Sequence, residues 1–165
     1  MVTGSVVSSM QGEPRSTHDI DIIVALEQSS VDALIVAFPQ SEYYMSKDSV
    51  LDAIDHHGMF NLLNVKTGDK VDFWLLEDTP FDRSRFSRRY VEEVLGMRIM
   101  VSSPEDTILG KLNWARMSGG SEKQFTDALR VYEVQFETLD FDYLHSWAKT
   151  LGVDEMFTRL RNEAA

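Results

Sequence analysis

The 165-residue sequence contains no cysteine, which excludes disulfide bonds, thiolate zinc sites and catalysis by a thiol. It also lacks an apolar run of about 18 residues, the length that a membrane-spanning helix requires. The first residues, Met1–Gly4, have neither the basic nor the apolar segment of a secretory signal. We therefore expect a cytoplasmic protein that does not use a membrane.

Basic residues are scarce, since 16 Lys and Arg stand against 27 Asp and Glu and leave a net charge of -11. The field of such a protein repels phosphate over most of its surface, which argues against broad nonspecific binding of nucleic acid. Residues 81–89 are a local exception, with four arginines among two aromatic residues. Two interpretations stay open for this segment: a solvated, salt-bridged face, or a patch that contacts the phosphates of a nucleotide or an RNA.

Apolar residues are abundant enough for a core, at 43% of the sequence against 26% charged residues. The apolar patterns predict strands at residues 1–5, 20–26, 43–45, 59–65, 70–76 and 98–101. Capping residues then predict helices that begin at Ser29 or Ser30, Ser46, Ser103, Ser121, before Leu144, and at Asp154. The fold class is therefore α/β (α+β): a small mixed sheet with packed helices over residues 1–102, and a C-terminal helical segment over residues 103–165.

Polar residues suited to binding or catalysis lie at three places in this pattern. Gly4 and Ser5 follow the first predicted strand, where a turn can present backbone N–H groups to phosphates. Asp19 and Asp21 are two apart on the next strand, so their side chains point to the same face. Strict alternation in the strand 70–76 places Asp72 among apolar neighbours, where a carboxylate is costly to bury unless a positive group lies beside it.

Three carboxylates in this arrangement suit transfer of a nucleotidyl group to a hydroxyl. The reaction requires a deprotonated attacking oxygen and a neutralised pyrophosphate, which two Mg²⁺ ions about 3.5–4 Å apart provide. Asp19 and Asp21 would bridge both metals, and Asp72 would complete the metal that activates the nucleophile, or act as its base. Ser5 and the nearby N–H groups would hold the triphosphate.

The segment from Thr3-Gly4-Ser5 through Gly12 to Asp19-Ile20-Asp21-Ile22-Ile23-Val24 resembles the active-site motif of the nucleotidyltransferase superfamily, which has the DNA polymerase β-like fold. It is most similar to small bacterial members, the minimal nucleotidyltransferases and the abortive-infection toxins. The segment 60–72 resembles the hairpin that carries this family's third acid. The resemblance covers residues 1–90 and extends loosely into the helical segment.

The resemblance implies an enzyme that uses Mg²⁺, or Mn²⁺ in its place, to move a nucleoside monophosphate from an NTP to a hydroxyl. The acceptor would be a small molecule, a protein or a tRNA. In the abortive-infection branch a lysine and an aspartate on the following helices also take part, and Lys111 and Asp127 lie where these would fall; the other interpretation is that both are solvated. Arg15 would contact a phosphate, order the site, or pair with Glu13.

Members of this family usually carry a helix and a longer first strand before the Gly-Ser turn. The first strand predicted here is short, so we expect either a truncated start or an edge that another subunit covers. A homodimer and an antitoxin are the partners that the resemblance implies. The alternative function is a non-catalytic or degenerate nucleotide-binding module, including a component of a toxin–antitoxin pair.

Overall fold

The computed structural model describes residues 1–17 and 19–164; His18, part of the predicted motif, and Ala165, the last residue of the predicted helical segment, lie outside the described residues. Seven strands of this described part form one mixed sheet: β1 (Val2–Thr3), β2 (Asp19–Val24), β3 (Tyr43–Tyr44), β4 (Met59–Asn64), β5 (Lys70–Leu75), β6 (Tyr90–Val94) and β7 (Met97–Val101). Their order across the sheet is β3-β4-β5-β2-β1-β7-β6. The predicted mixed sheet is confirmed.

Eight α-helices accompany the sheet in the same described ranges: α1 (Gly4–Gln11), α2 (Val31–Ala37), α3 (Lys47–His56), α4 (Pro80–Ser87), α5 (Pro104–Met117), α6 (Glu122–Gln135), α7 (Phe141–Thr150) and α8 (Asp154–Glu163). The last four form the predicted C-terminal helical segment, while the boundary at residue 102 as a division between domains stays a prediction. None of the described helices has both the length and the apolar character needed to cross a membrane.

Side-chain caps fix several of these helix starts. The hydroxyl of Ser103 accepts the backbone N–H of Asp106, and Pro104 takes the first helical position, where its missing N–H has no consequence. Ser46 caps α3 in the same way, as predicted. Ser121 lies at the predicted start of α6, but its side chain makes no capping hydrogen bond.

Two helices and one strand were not predicted. Residues 4–11 form α1, where the sequence predicted a strand over residues 1–5 and no helix. The helix was not predicted because serine and β-branched valine have low intrinsic helix propensity. Packing against α5 and α6 stabilises the helix nonetheless. The start of helix α4 precedes the arginine-rich segment and carries a sequence signal, since Thr79 caps the helix and Pro80 takes the first position. Strand β6 pairs with β7 across the Leu95-Gly96 turn.

The short first strand does not lie at an edge of the sheet. Strand β1 is antiparallel to β2 on one side and parallel to β7 on the other. Backbone hydrogen bonds between Met1 and Ile23, in both directions, extend this pairing. The edge that a second subunit was expected to cover is therefore already paired within this chain.

Two hydrophobic clusters lie on either side of the region that contains the candidate site. One packs α2 and α3 against β4 and β5, with Phe60 and Val50 among its fully buried side chains. The other joins the last four helices and includes Phe81 of α4. The backbone that carries the polar residues described next is thus supported by packed side chains from both sides.

Candidate active site

The predicted acids lie on two neighbouring strands. Strands β2 and β5 are parallel, and their register places Asp21 beside Asp72 and Asp19 beside Lys70. The alternation predicted for β5 is confirmed, because Val71, Phe73 and Leu75 contribute to the sheet cluster on the opposite face. The structure therefore brings Asp19, Asp21 and Asp72 to one face of the sheet.

The positive partner that a buried Asp72 requires is Lys70. The Nζ atom of Lys70 is 2.9 Å from Oδ2 of Asp72 and 3.9 Å from Oδ1 of Asp19. The amide of Asn61, which faces Asp72 across the hairpin, donates a hydrogen bond to its Oδ1 atom. The hydrogen bond from Lys70 to Asp72 is the largest effect on the lysine and raises its pKa. The ammonium group thus lies close to two of the three carboxylates.

Asp21 is held by contacts of a different kind. The indole Nε1–H of Trp74 donates a hydrogen bond to its Oδ1 atom over 3.2 Å. On the other side lies Gly4, whose φ is +68°, a conformation that favours glycine. A Cβ atom at residue 4 would be 2.1 Å from Oδ2 of Asp21, so only glycine allows this close approach.

The donor chemistry of the three acids suits a divalent cation, because carboxylate oxygens are the ligands that Mg²⁺ prefers. The ammonium group of Lys70 already shows that this set attracts a cation. Their present side-chain positions are not a finished metal site: across residues 1–17 and 19–164, no three acidic or histidine side chains converge as a metal-binding group. Binding would require Lys70 to leave and the carboxylates to turn toward the ion.

Gly4 and Ser5 are the first two residues of α1 instead of a free turn, which corrects the sequence-based prediction. The first N–H groups of a helix have no partner within it, and they favour anions. The hydroxyl of Ser5 accepts hydrogen bonds from Arg15 over 2.8 Å and from Lys111 over 3.2 Å. Ser5 therefore lies between a helix start and two cationic side chains.

A buried ion cluster joins Ser5 to residues distant in the sequence. We use this name for Ser5, Arg15, Lys111 and Asp127. Asp127 accepts two hydrogen bonds from Arg15, over 2.8 and 2.7 Å, and one from Lys111 over 2.8 Å. Lys111 is 4% exposed and Asp127 8%, so neither is a solvated helix residue. Arg15 pairs with Asp127, while Glu13 contacts Arg130.

On Lys111 and on Asp127, burial and pairing act on the pKa in opposite directions. Burial lowers the pKa of Lys111, and the hydrogen bond to Asp127 only partly offsets it. Burial acts to raise the pKa of Asp127, but hydrogen bonds from Arg15 and Lys111 outweigh it and hold that pKa below its usual value. Two cations against one carboxylate leave a net positive charge beside Ser5, in a protein whose net charge is -11.

A cleft of about 660 Å³ opens between the sheet and the helices α4 to α7. Gly4, Ser5, Asp21 and Lys111 are among the residues that line it. Trp74 and Trp114 form part of its apolar wall, with ring centroids 5.6 Å apart. Trp114 is not a core residue, since 46% of it is exposed. A ligand-sized space thus opens at the point where Asp21 meets the start of α1.

The arginine-rich segment has partners of its own. Arg83 pairs with Asp78, Arg85 with Asp82 over 2.5 Å, and Arg88 with Glu105 over 2.9 Å, while Arg89 donates to the carbonyl of Phe86 and lies over its ring. Arg85 is the member of this group that lines the cleft. The contacts favour the salt-bridged interpretation over a patch for RNA phosphates, because three of the four arginines already pair with carboxylates.

Four residues of the candidate site were not predicted from the sequence: Asn61, Lys70, Trp74 and Trp114. Lys70 shares the face of Asp72 by the same alternation, so its role was readable once β5 was assigned. The position of Asn61 opposite Asp72 follows only from the hairpin register. The exposure of Trp114 depends on how α5 packs, for which the sequence carries no local signal.

Comparison with known proteins supports the architecture. No protein-family model matches the sequence, and no curated protein matches it. Among solved structures, it is similar to the crystal structure of an antigenic nucleotidyltransferase-like protein from Paracoccidioides brasiliensis, with a TM-score of 0.55 and 14% identity over 97% of this chain and 83% of that chain. The fold is nucleotidyltransferase-like. At this identity the nucleotidyltransferase-like match shows the fold alone, and the site residues stay predictions.

Proposed function

We propose that the protein is a Mg²⁺-dependent nucleotidyltransferase that moves a nucleoside monophosphate from an NTP to a hydroxyl acceptor. One observation carries the proposal: the Gly4-Ser5 start of α1 joins one of the strand acids, Asp21, to the buried ion cluster. Gly4 is packed against Asp21, and the next residue, Ser5, accepts hydrogen bonds from Arg15 and Lys111. A candidate metal ligand and candidate groups for binding phosphate are therefore joined by two consecutive residues.

The roles follow from these contacts. Asp19, Asp21 and Asp72 would hold Mg²⁺, or Mn²⁺ in its place, which when bound neutralises phosphate charge and activates the attacking hydroxyl. Ser5 and the first N–H groups of α1 bind the triphosphate. The net charge of -11 favours a cationic small molecule or a protein as the acceptor over a tRNA. We place this activity in the cytoplasm, where NTP is abundant.

Lys111 and Asp127 support a finer proposal within this class. They are the positions at which the abortive-infection toxins were expected to carry a functional lysine and aspartate, and they contact each other over 2.8 Å. We propose that they hold Ser5 and Arg15 in place for phosphate binding. A toxin–antitoxin role, with an antitoxin as partner, rests on this resemblance.

A second candidate function has an observation in its favour. Lys70 and Asn61 engage Asp72, and Trp74 engages Asp21, so the acids already have partners without a metal. This arrangement suits a non-catalytic module that binds nucleotide through Ser5 and the buried ion cluster alone.

Label transfer distinguishes the two functions. The protein is incubated with each α-labelled NTP, with Mg²⁺ or Mn²⁺, and with pools of tRNA, protein and aminoglycosides. We expect label in one pool, reduced by about 100-fold or more in Asp21→Asn and Asp72→Asn. Asp69→Asn is the matched control, because Asp69 is an exposed hairpin carboxylate bonded to Thr67. Metal-independent NTP binding without transfer in any pool would reject the enzyme and favour the binding module.

A further inference from the structure

Trp114 is exposed where a buried indole is normally expected. It lies on α5, whose residues Ile108, Leu109 and Leu112 are fully buried in the helical cluster. Trp114 itself is 46% exposed and lines the cleft, and Met117, one turn further along, is 64% exposed and lines it too. A large aromatic side chain left in water at the wall of a cleft is a typical feature of a ligand site.

The orientation of Trp114 is set by a residue of the candidate site. Its ring meets that of Trp74 in an edge-on arrangement, with centroids 5.6 Å apart and planes at 70°. Trp74 is in turn held by its hydrogen bond to Asp21. One ring cannot cover both faces of its neighbour, so at least one face of Trp114 is not covered by Trp74. A flat, anchored aromatic surface therefore borders the cleft.

This surface lies close to the groups proposed to bind phosphate. Trp114 follows Lys111 by three residues on α5, which is about 4.5 Å along the helix axis. The Nζ atom of Lys111 donates to the hydroxyl of Ser5. The base of a nucleotide whose phosphates bind at Ser5 can thus reach Trp114.

We propose that Trp114 is the stacking surface for the nucleobase of the bound nucleoside triphosphate, with Met117 extending the apolar wall beside it; this inference rests on the function proposed above. Every nucleobase has a π-face, so stacking on an indole discriminates little among the four bases. The site therefore binds a nucleotide through both its base and its phosphates. A phosphate chain that carries no base lacks the stacking contact and binds more weakly.

Calorimetric titration tests the inference without requiring catalysis. Each of the four NTPs and inorganic tripolyphosphate, all with Mg²⁺, is titrated into the wild-type protein and into Trp114→Ala. Loss of base–aromatic stacking is expected to weaken NTP binding by about 5- to 150-fold. Tripolyphosphate has no base, so its affinity should not change.

Two further variants serve as controls. Trp114→Phe keeps a flat ring and should retain NTP affinity within about threefold of wild type. Tyr44→Ala removes another exposed aromatic residue, on β3, and should leave both ligands unaffected. Melting temperatures of all variants show whether a loss of affinity reflects unfolding.

The outcomes separate this inference from the proposed function. If Trp114→Ala binds NTP as tightly as wild type, or loses NTP and tripolyphosphate equally, the stacking role is wrong and the nucleotidyltransferase proposal stands. If the wild-type protein binds neither NTP nor tripolyphosphate, both proposals are rejected together.

Discussion

Replacement of Gly4 by alanine tests the contact between the start of α1 and Asp21. Alanine at a φ of +68° costs about 1–2 kcal/mol, because its Cβ approaches the backbone carbonyl. The new Cβ would also be 2.1 Å from the carboxylate of Asp21, and relief of such overpacking costs about 1–3 kcal/mol more. We expect the free energy of unfolding to fall by about 2–5 kcal/mol, and the melting temperature by roughly 4–20 °C for a chain of this size.

Gly152→Ala is the matched control for this prediction. Gly152 has a φ of +66°, and a Cβ atom there would meet nothing within 4 Å, so this variant suffers the backbone strain alone. Thermal and denaturant unfolding of the two variants therefore isolates the contact with Asp21. Near-UV circular dichroism should also change in Gly4→Ala, since a displaced Asp21 releases the indole of Trp74. Equal stability of the two variants would refute the proposed close packing.

The remaining predictions concern charge. Asp127→Asn should lower the free energy of unfolding at pH 7 by about 3–5 kcal/mol, because Lys111 would be buried without its carboxylate. The pKa of Asp127 lies below its usual value, so its stabilising effect is present above about pH 4 and is lost as the pH falls further. In urea unfolding, the difference in free energy of unfolding between wild type and Asp127→Asn should therefore become smaller below pH 4. A difference that stays constant with pH would contradict the pairing. Lys70→Met should tighten Mn²⁺ binding about fivefold in paramagnetic titration, a small effect because the lysine is 39% exposed and screened; unchanged or weaker binding would show that Lys70 does not compete with the cation.

Much of the fold could be predicted because helix starts and strand faces depend mainly on residues that are neighbours in the sequence. Ser103 and Pro104 specify the start of α5 through one cap and one missing N–H, whatever the rest of the chain does. Alternation in β5 placed Asp72 opposite the apolar face for the same reason. Helix α1 was missed because its residues favour other conformations, and only its packing on α5 and α6 stabilises it.

The candidate site divides along the same line. The sequence by itself determined that Asp19 and Asp21 share a face, since the period of a strand is two residues. Only the tertiary structure decided that Asp21 lies beside Asp72, because strand order and register depend on which faces the whole chain can bury. It also decided that Arg15 meets Asp127, 112 residues away, and that Trp114 faces a cleft. Such pairings reflect the summed packing of distant elements, for which no single segment carries the information.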